Sequence, residues 1–113
     1  MEQSRKKELK DAFKQRPAAG GVYEIRCANG RCWVRGDVDL PGAENRFRFS
    51  QLTGSCVAPA LQQDWARLGP KSFTFAVLER LKKKDDQTDR QYREDVETLA
   101  DLWREKYDPA QLY

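Results

Sequence analysis

The stretch Gly21-Val22-Tyr23-Glu24-Ile25-Arg26-Cys27, followed after Ala28 by Asn29-Gly30-Arg31-Cys32-Trp33-Val34-Arg35, decides the fold of this chain. Val22 to Cys27 has strand character, Asn29-Gly30 is a strong two-residue hairpin signal, and Arg31 to Arg35 supplies the return strand. The preceding Ala18-Ala19-Gly20-Gly21 is a break. With the turn centred on Asn29-Gly30, Cys27 and Cys32 are expected to face each other at a non-hydrogen-bonded pair, where side chains come closest. That pairing allows a cross-strand disulfide, whereas a reducing cytoplasm favours two small apolar side chains filling a sheet face. On the same ideal hairpin Arg26, Arg31, Trp33 and Arg35 share one face, and Tyr23, Cys27 and Cys32 share the other.

Working outward, Asp39-Leu40-Pro41-Gly42 opens a helix that continues from Ala43 through Thr53, with Phe47 and Leu52 among its apolar positions and Gly54 closing it. A second helix is expected from Ala58 to Leu68, because Leu61, Trp65 and Leu68 recur at i, i+4 and i+7 before Gly69-Pro70 stops the run. Phe73-Thr74-Phe75-Ala76-Val77-Leu78 reads as a third, well-covered strand. After the polar connection Lys82-Lys83-Lys84-Asp85-Asp86, a final helix from about Asp89 to Lys106 places Tyr92, Val96, Leu99 and Trp103 on one face. At the other end, residues 3–16 carry Leu9, Ala12 and Phe13 at helical spacing and read as a short amphipathic helix ending near Pro17.

At 113 residues with three Trp, four Tyr and five Phe, the chain has the size and the apolar payload of one globular domain. The expected organisation is a basic helix over residues 1–17 and a single α+β domain over residues 18–113. Neither an apolar run of about eighteen residues nor a charged-then-apolar leader is visible, so no membrane span or secretory signal is expected and a cytoplasmic location is the default. The net charge of +3 is too small to identify a nucleic-acid binder unaided. Residues 1–16 hold that whole excess, and such an arm reads either as a phosphate-binding element or as a solvated helix.

The chain contains no histidine, which removes the commonest general base and the commonest zinc ligand together. Cys27, Cys32 and Cys56 lack paired metal-ligand spacing, so no metal site and no small-molecule cofactor are expected.

The ordered set of hairpin, two helices, strand and long helix resembles the GIY-YIG nuclease family from about Gly21 to Pro109. Besides the hairpin, the resemblance is carried by Asp39-Leu40, Leu61, Asp64-Trp65, Leu68-Gly69-Pro70, Phe73, Phe75 and Val77-Leu78-Glu79. It closes with Leu102-Trp103-Arg104-Glu105-Lys106-Tyr107-Asp108-Pro109. It implies a three-stranded antiparallel sheet flanked by helices. In active members a tyrosine on each hairpin strand, an arginine and often a histidine on the first helix, and a metal-binding glutamate on the last helix cooperate to cut a phosphodiester. Carried onto this sequence, Tyr23 keeps the first tyrosine, while Trp33 stands for the second and Arg35 for the glycine after it. Sliding the match by one restores Gly36 and puts Val34 at the tyrosine position. The arginine falls at Ala43, the histidine at Phe47 and the glutamate at Ala100.

Alanine neither stabilises phosphate charge nor ligates a metal, and losing one preorganised donor already costs about a hundredfold to a thousandfold. Arg46, Glu97 and Asp101 lie within about one helical turn of the vacated positions but are expected to point to other faces. The sequence therefore predicts a catalytically inactive binding module. Arg26, Arg31, Trp33, Arg35, Arg46 and Arg48 are the candidate nucleic-acid contacts, although Trp33 also reads as a plain sheet-face aromatic. A protein-binding scaffold and a divergent Mg2+- or Mn2+-dependent nuclease using Tyr23 with Glu97 or Asp101 are the alternatives.

Overall fold

The computed structural model describes residues 19–113. The expected helix and domain segment over residues 1–17 lie outside the described residues. From Ala19 onward the elements follow the sequence order: β1 (Gly20–Cys27), β2 (Cys32–Asp37), α1 (Leu40–Thr53), α2 (Gln62–Leu68), β3 (Phe73–Leu81) and α3 (Asp89–Arg104). The strands form one antiparallel sheet in the order β2-β1-β3.

The turn between β1 and β2 departs from the two-residue loop expected. Cys27 N–H donates to Arg31 O at 2.8 Å and Gly30 N–H donates to Cys27 O at 2.9 Å, which encloses Ala28, Asn29 and Gly30 in a three-residue loop. Gly30 takes a left-handed φ of 92°, the conformation such a loop demands at its last position. The extra loop residue moves the register by one, so Arg26 pairs with Cys32, Ile25 with Trp33 and Tyr23 with Arg35. A one-residue slip reverses which side chains share a face. Cys27 and Cys32 therefore lie on opposite faces, both buried with free thiols, and the cross-strand pairing expected for them is overturned.

Helix α1 begins where Asp39 accepts a hydrogen bond from Gly42 N–H at 3.0 Å, with Pro41 in the first turn, and ends at Gly54. It packs on the β1 face that carries Tyr23, Ile25 and Cys27, together with Leu61 and Trp65 from the α2 region and Phe73 from β3. Phe47 is buried there as expected, whereas Leu52 is 86% exposed, because five further positions along the helix turn it away from the sheet. Fully burying a side chain such as Leu61 or Phe73 stabilises the fold by about 1.5–3 kcal/mol.

Helix α3 covers the other face. Thr88 and Gln91 form a reciprocal capping box, and Tyr92, Val96 and Ala100 recur at four-residue spacing to make its buried stripe. It comes close to the sheet at Gly36, where a Cβ would come within 2.8 Å of Val96 Cγ1 and 2.9 Å of Val96 O. Glycine there is what lets the helix seat. Ala100, fully buried, closes the second core with Val22, Cys32 and Val34.

Candidate nucleic-acid interface

Three aromatic rings cross the α1-covered face of the sheet, one from each strand. Tyr23 meets Trp33 edge to face with centroids 6.3 Å apart, and stacks on Phe75 with centroids 4.8 Å apart and planes 23° from parallel. Phe47 from α1 lies 5.9 Å from Phe75 and 6.4 Å from Trp65. The positions that the resemblance assigns to arginine and histidine, Ala43 and Phe47, are 4% and 3% exposed. They form an apolar plug beside the Tyr23 ring. Trp33 stays half-exposed and Arg35 sets its guanidinium 5.2 Å from the Trp33 ring centre.

The polar groups near Tyr23 are few. Burial raises the Tyr23 phenol above its ordinary value; Asp37 and Glu97 push the same way, and Arg46 and Arg35 oppose. A phenol held neutral is a poor proton acceptor at physiological pH. Arg46 is tied to Asp37 at 2.7 Å and Asp101 to Arg104 at 2.5 Å. Among the described residues no three Cys, Asp or Glu side chains gather to hold a metal ion. Ala100, at the position matched to the metal-binding glutamate, offers no ligand and faces Val22, Cys32 and Val34 on the opposite side of the sheet from Tyr23.

The six candidate contacts separate. Arg31, Trp33 and Arg35 share the Tyr23 face, while Arg26 stands on the other face, where its Nε lies 3.3 Å from the carboxylate of the buried Glu24. The single Arg26–Arg31–Trp33–Arg35 face expected from the ideal hairpin is thus corrected by the same shift that separates the cysteines. Arg31 sits over the Tyr113 ring at 4.2 Å and 3.8 Å from Asp64, and Arg48 is paired with Glu44 at 2.7 Å. Of the five arginines, Arg35 alone has no carboxylate partner among the described residues.

Two features escaped the sequence. Between α1 and β3 lies an open cleft of about 310 Å³ lined by Glu44, Phe47, Arg48, Gln51, Phe73, Thr74 and Phe75. Period-two alternation from Phe73 signals that Phe75 shares a face with Phe73 and Val77, but the cleft depends on where α1 is set and leaves no local mark. The other is Asp64, a buried carboxylate that accepts hydrogen bonds from Tyr113 Oη at 2.6 Å and Asn29 Nδ2 at 3.0 Å, and from Arg67 at 3.0 Å. Tyr113 N–H also donates to Cys32 O at 2.9 Å, so the last residues strap the outer edge of β2 to the hairpin turn and α2.

No family model and no curated protein matches the chain. Among solved structures, a glutamate-to-alanine mutant of the catalytic domain of intron endonuclease I-TevI is similar, with a TM-score of 0.56 and 17% identity over 78% of this chain and 82% of that one. That domain has the sheet and helix arrangement of the GIY-YIG nucleases, and at this identity the likeness speaks for architecture alone. The chain described here has the GIY-YIG nuclease fold.

Proposed function

We propose that this chain is a GIY-YIG-fold module without hydrolytic activity that binds nucleic acid across the Tyr23 face of its sheet. One observation carries the reading: the ground beside the retained Tyr23 is an apolar plug of Ala43, Phe47 and Phe75, rimmed by the exposed Arg35 and Arg46. The plug itself offers no group to activate water, to donate to a pentavalent phosphate or to hold a divalent ion, and losing one preorganised donor alone removes about a hundredfold to a thousandfold of rate. The rim keeps cations and an aromatic, Trp33, where a nucleic acid would lie. Likeness to the catalytic domain of an intron endonuclease supports nucleic acid as the partner class.

A metal-dependent nuclease built on Tyr23 and Glu97 draws on one observation, that Glu97 lies near enough to bear on the Tyr23 phenol. It is the weaker reading, because Asp101 is committed to Arg104 and Asp37 to Arg46, which leaves Glu97 without a second carboxylate.

The test is a binding titration of labelled RNA and DNA at low and moderate salt. Binding that weakens as salt rises, and that Arg35→Ala reduces while Arg90→Ala on the far helix does not, supports the reading. Absence of binding at low salt refutes it and points to a protein partner.

A further inference from the structure

Resting on that reading, we infer that the nucleic acid bound is single-stranded, and that the cleft between α1 and β3 receives an unpaired base against Phe75.

The charge balance separates the two forms of ligand. Duplex affinity comes chiefly from neutralising many phosphates. On this face Arg31, Arg46 and Arg48 already stand within 4 Å of Asp64, Asp37 and Glu44, which leaves Arg35 as the cation without a carboxylate among the described residues. A rigid duplex laid here meets three carboxylates, Asp64, Asp37 and Glu44, beside the one cation that has no carboxylate of its own. Stacking groups, in contrast, are abundant. Trp33 and Phe75 flank Tyr23 on its two sides and are both half-exposed, and Arg35 extends the Trp33 ring with a planar guanidinium that is itself exposed. Rings and guanidinium planes are what bind bases that have left their partners.

The cleft supplies the pocket. Its volume of about 310 Å³ and its wall of Phe47, Phe73 and Phe75 suit a flat heterocycle, and Glu44, Arg48, Gln51 and Thr74 set donors and acceptors around it. Gln51 is fixed by donating from Nε2 to Phe73 O at 2.9 Å and Pro70 O at 3.2 Å, which leaves its amide oxygen to accept from a base edge. A paired base buries its edge in the partner strand and its faces in the stack, so reaching this cleft from a duplex requires flipping, at a cost of about a few kcal/mol.

The experiment compares one sequence as a single strand and as a duplex, in RNA and in DNA, by fluorescence anisotropy with the full chain, and repeats it with single strands carrying 2-aminopurine. The single strand is expected to bind at least about tenfold more tightly, 2-aminopurine emission to fall on binding, and Phe75→Leu to weaken single-strand binding about tenfold with little effect on the duplex. Thermal melting checks that Phe75→Leu folds, and the exposed Arg48→Ala gives an independent variant of the same cleft with the same expected direction. Duplex binding as tight as single-strand binding, or unquenched 2-aminopurine, overturns the inference while leaving nucleic-acid binding standing. Failure of both forms to bind overturns the broader reading as well.

Discussion

Tyr23 and Phe75 stack across β1 and β3 with centroids 4.8 Å apart, on the face that Phe47 seals from above. The Tyr23 hydroxyl makes no hydrogen bond to another described side chain, so the ring, rather than the hydroxyl, contributes to the fold. Tyr23→Phe is expected to change stability by less than about 0.5 kcal/mol, and Tyr23→Ala to cost about 3–5 kcal/mol, measured by chemical denaturation. A large loss from Tyr23→Phe would show that the hydroxyl has a structural role this packing does not provide.

Restoring the glutamate that the family resemblance places at Ala100 should damage the protein rather than revive it. Ala100 is fully buried against Val22, Cys32 and Val34, so Ala100→Glu sets a carboxylate in an apolar core with no partner. The expected cost is several kcal/mol, on the order of the 3–5 kcal/mol seen for uncompensated buried charge. Thermal melting checks it, and isothermal titration with Mg2+ is expected to show no gain in metal binding.

Asp64 makes the fold sensitive to acid. Hydrogen bonds from Tyr113 and Arg67 hold its carboxyl at about 2, below the ordinary 3.8. A depressed carboxyl stabilises the folded state fully above its ordinary value and loses that contribution as pH falls through 3.8 toward 2. The melting temperature is therefore expected to drop through that window, and Asp64→Asn to lower it at neutral pH and flatten the acid limb. An unchanged acid limb in Asp64→Asn would remove Asp64 as its source.

At the alkaline end the four tyrosines act together. Tyr23, Tyr92, Tyr107 and Tyr113 are all held above the ordinary value of 10.0, in each case chiefly by burial, with Glu24 adding to Tyr107 and Asp64 to Tyr113. A raised phenol stabilises fully below its ordinary value, and the contribution is lost as pH climbs past it. Phenolate absorbance is expected to lag behind free tyrosine at pH 10.0 and to rise together with loss of secondary structure. Normal titration of any tyrosine in a folded protein would contradict the burial described.

Much of the architecture is legible from short-range chemistry. Asp39 and Gly54 cap α1, Pro59 in the first turn and Gly69 at the end bracket the second helical region, and Thr88 with Gln91 caps the start of α3, all signals that depend on a few neighbouring residues. The family resemblance points to Ala43, Phe47 and Ala100, and the structure puts Ala43 and Phe47 beside Tyr23 and Ala100 on the opposite side of the sheet. The hairpin shows where local reading ends. Asn29-Gly30 fits a two-residue loop, but Ala28 joins the loop, and that one residue moves Cys32 to the face of Arg26, and Arg31, Trp33 and Arg35 to the face of Tyr23. Long-range pairings were out of reach for a different reason. The Asp64–Tyr113 bond joins residues 49 apart and Tyr107–Glu24 residues 83 apart, and neither partner carries a periodic signal.

Binding without cutting is tested most directly by incubating the chain with labelled single-stranded, duplex and branched substrates in Mg2+ or Mn2+ and resolving the products on a denaturing gel. Intact strands are expected at protein concentrations that saturate single-strand binding. Metal-dependent cleavage that Tyr23→Phe abolishes would contradict that expectation, because the hydrolytic site would then have survived beside Ala43 and Phe47.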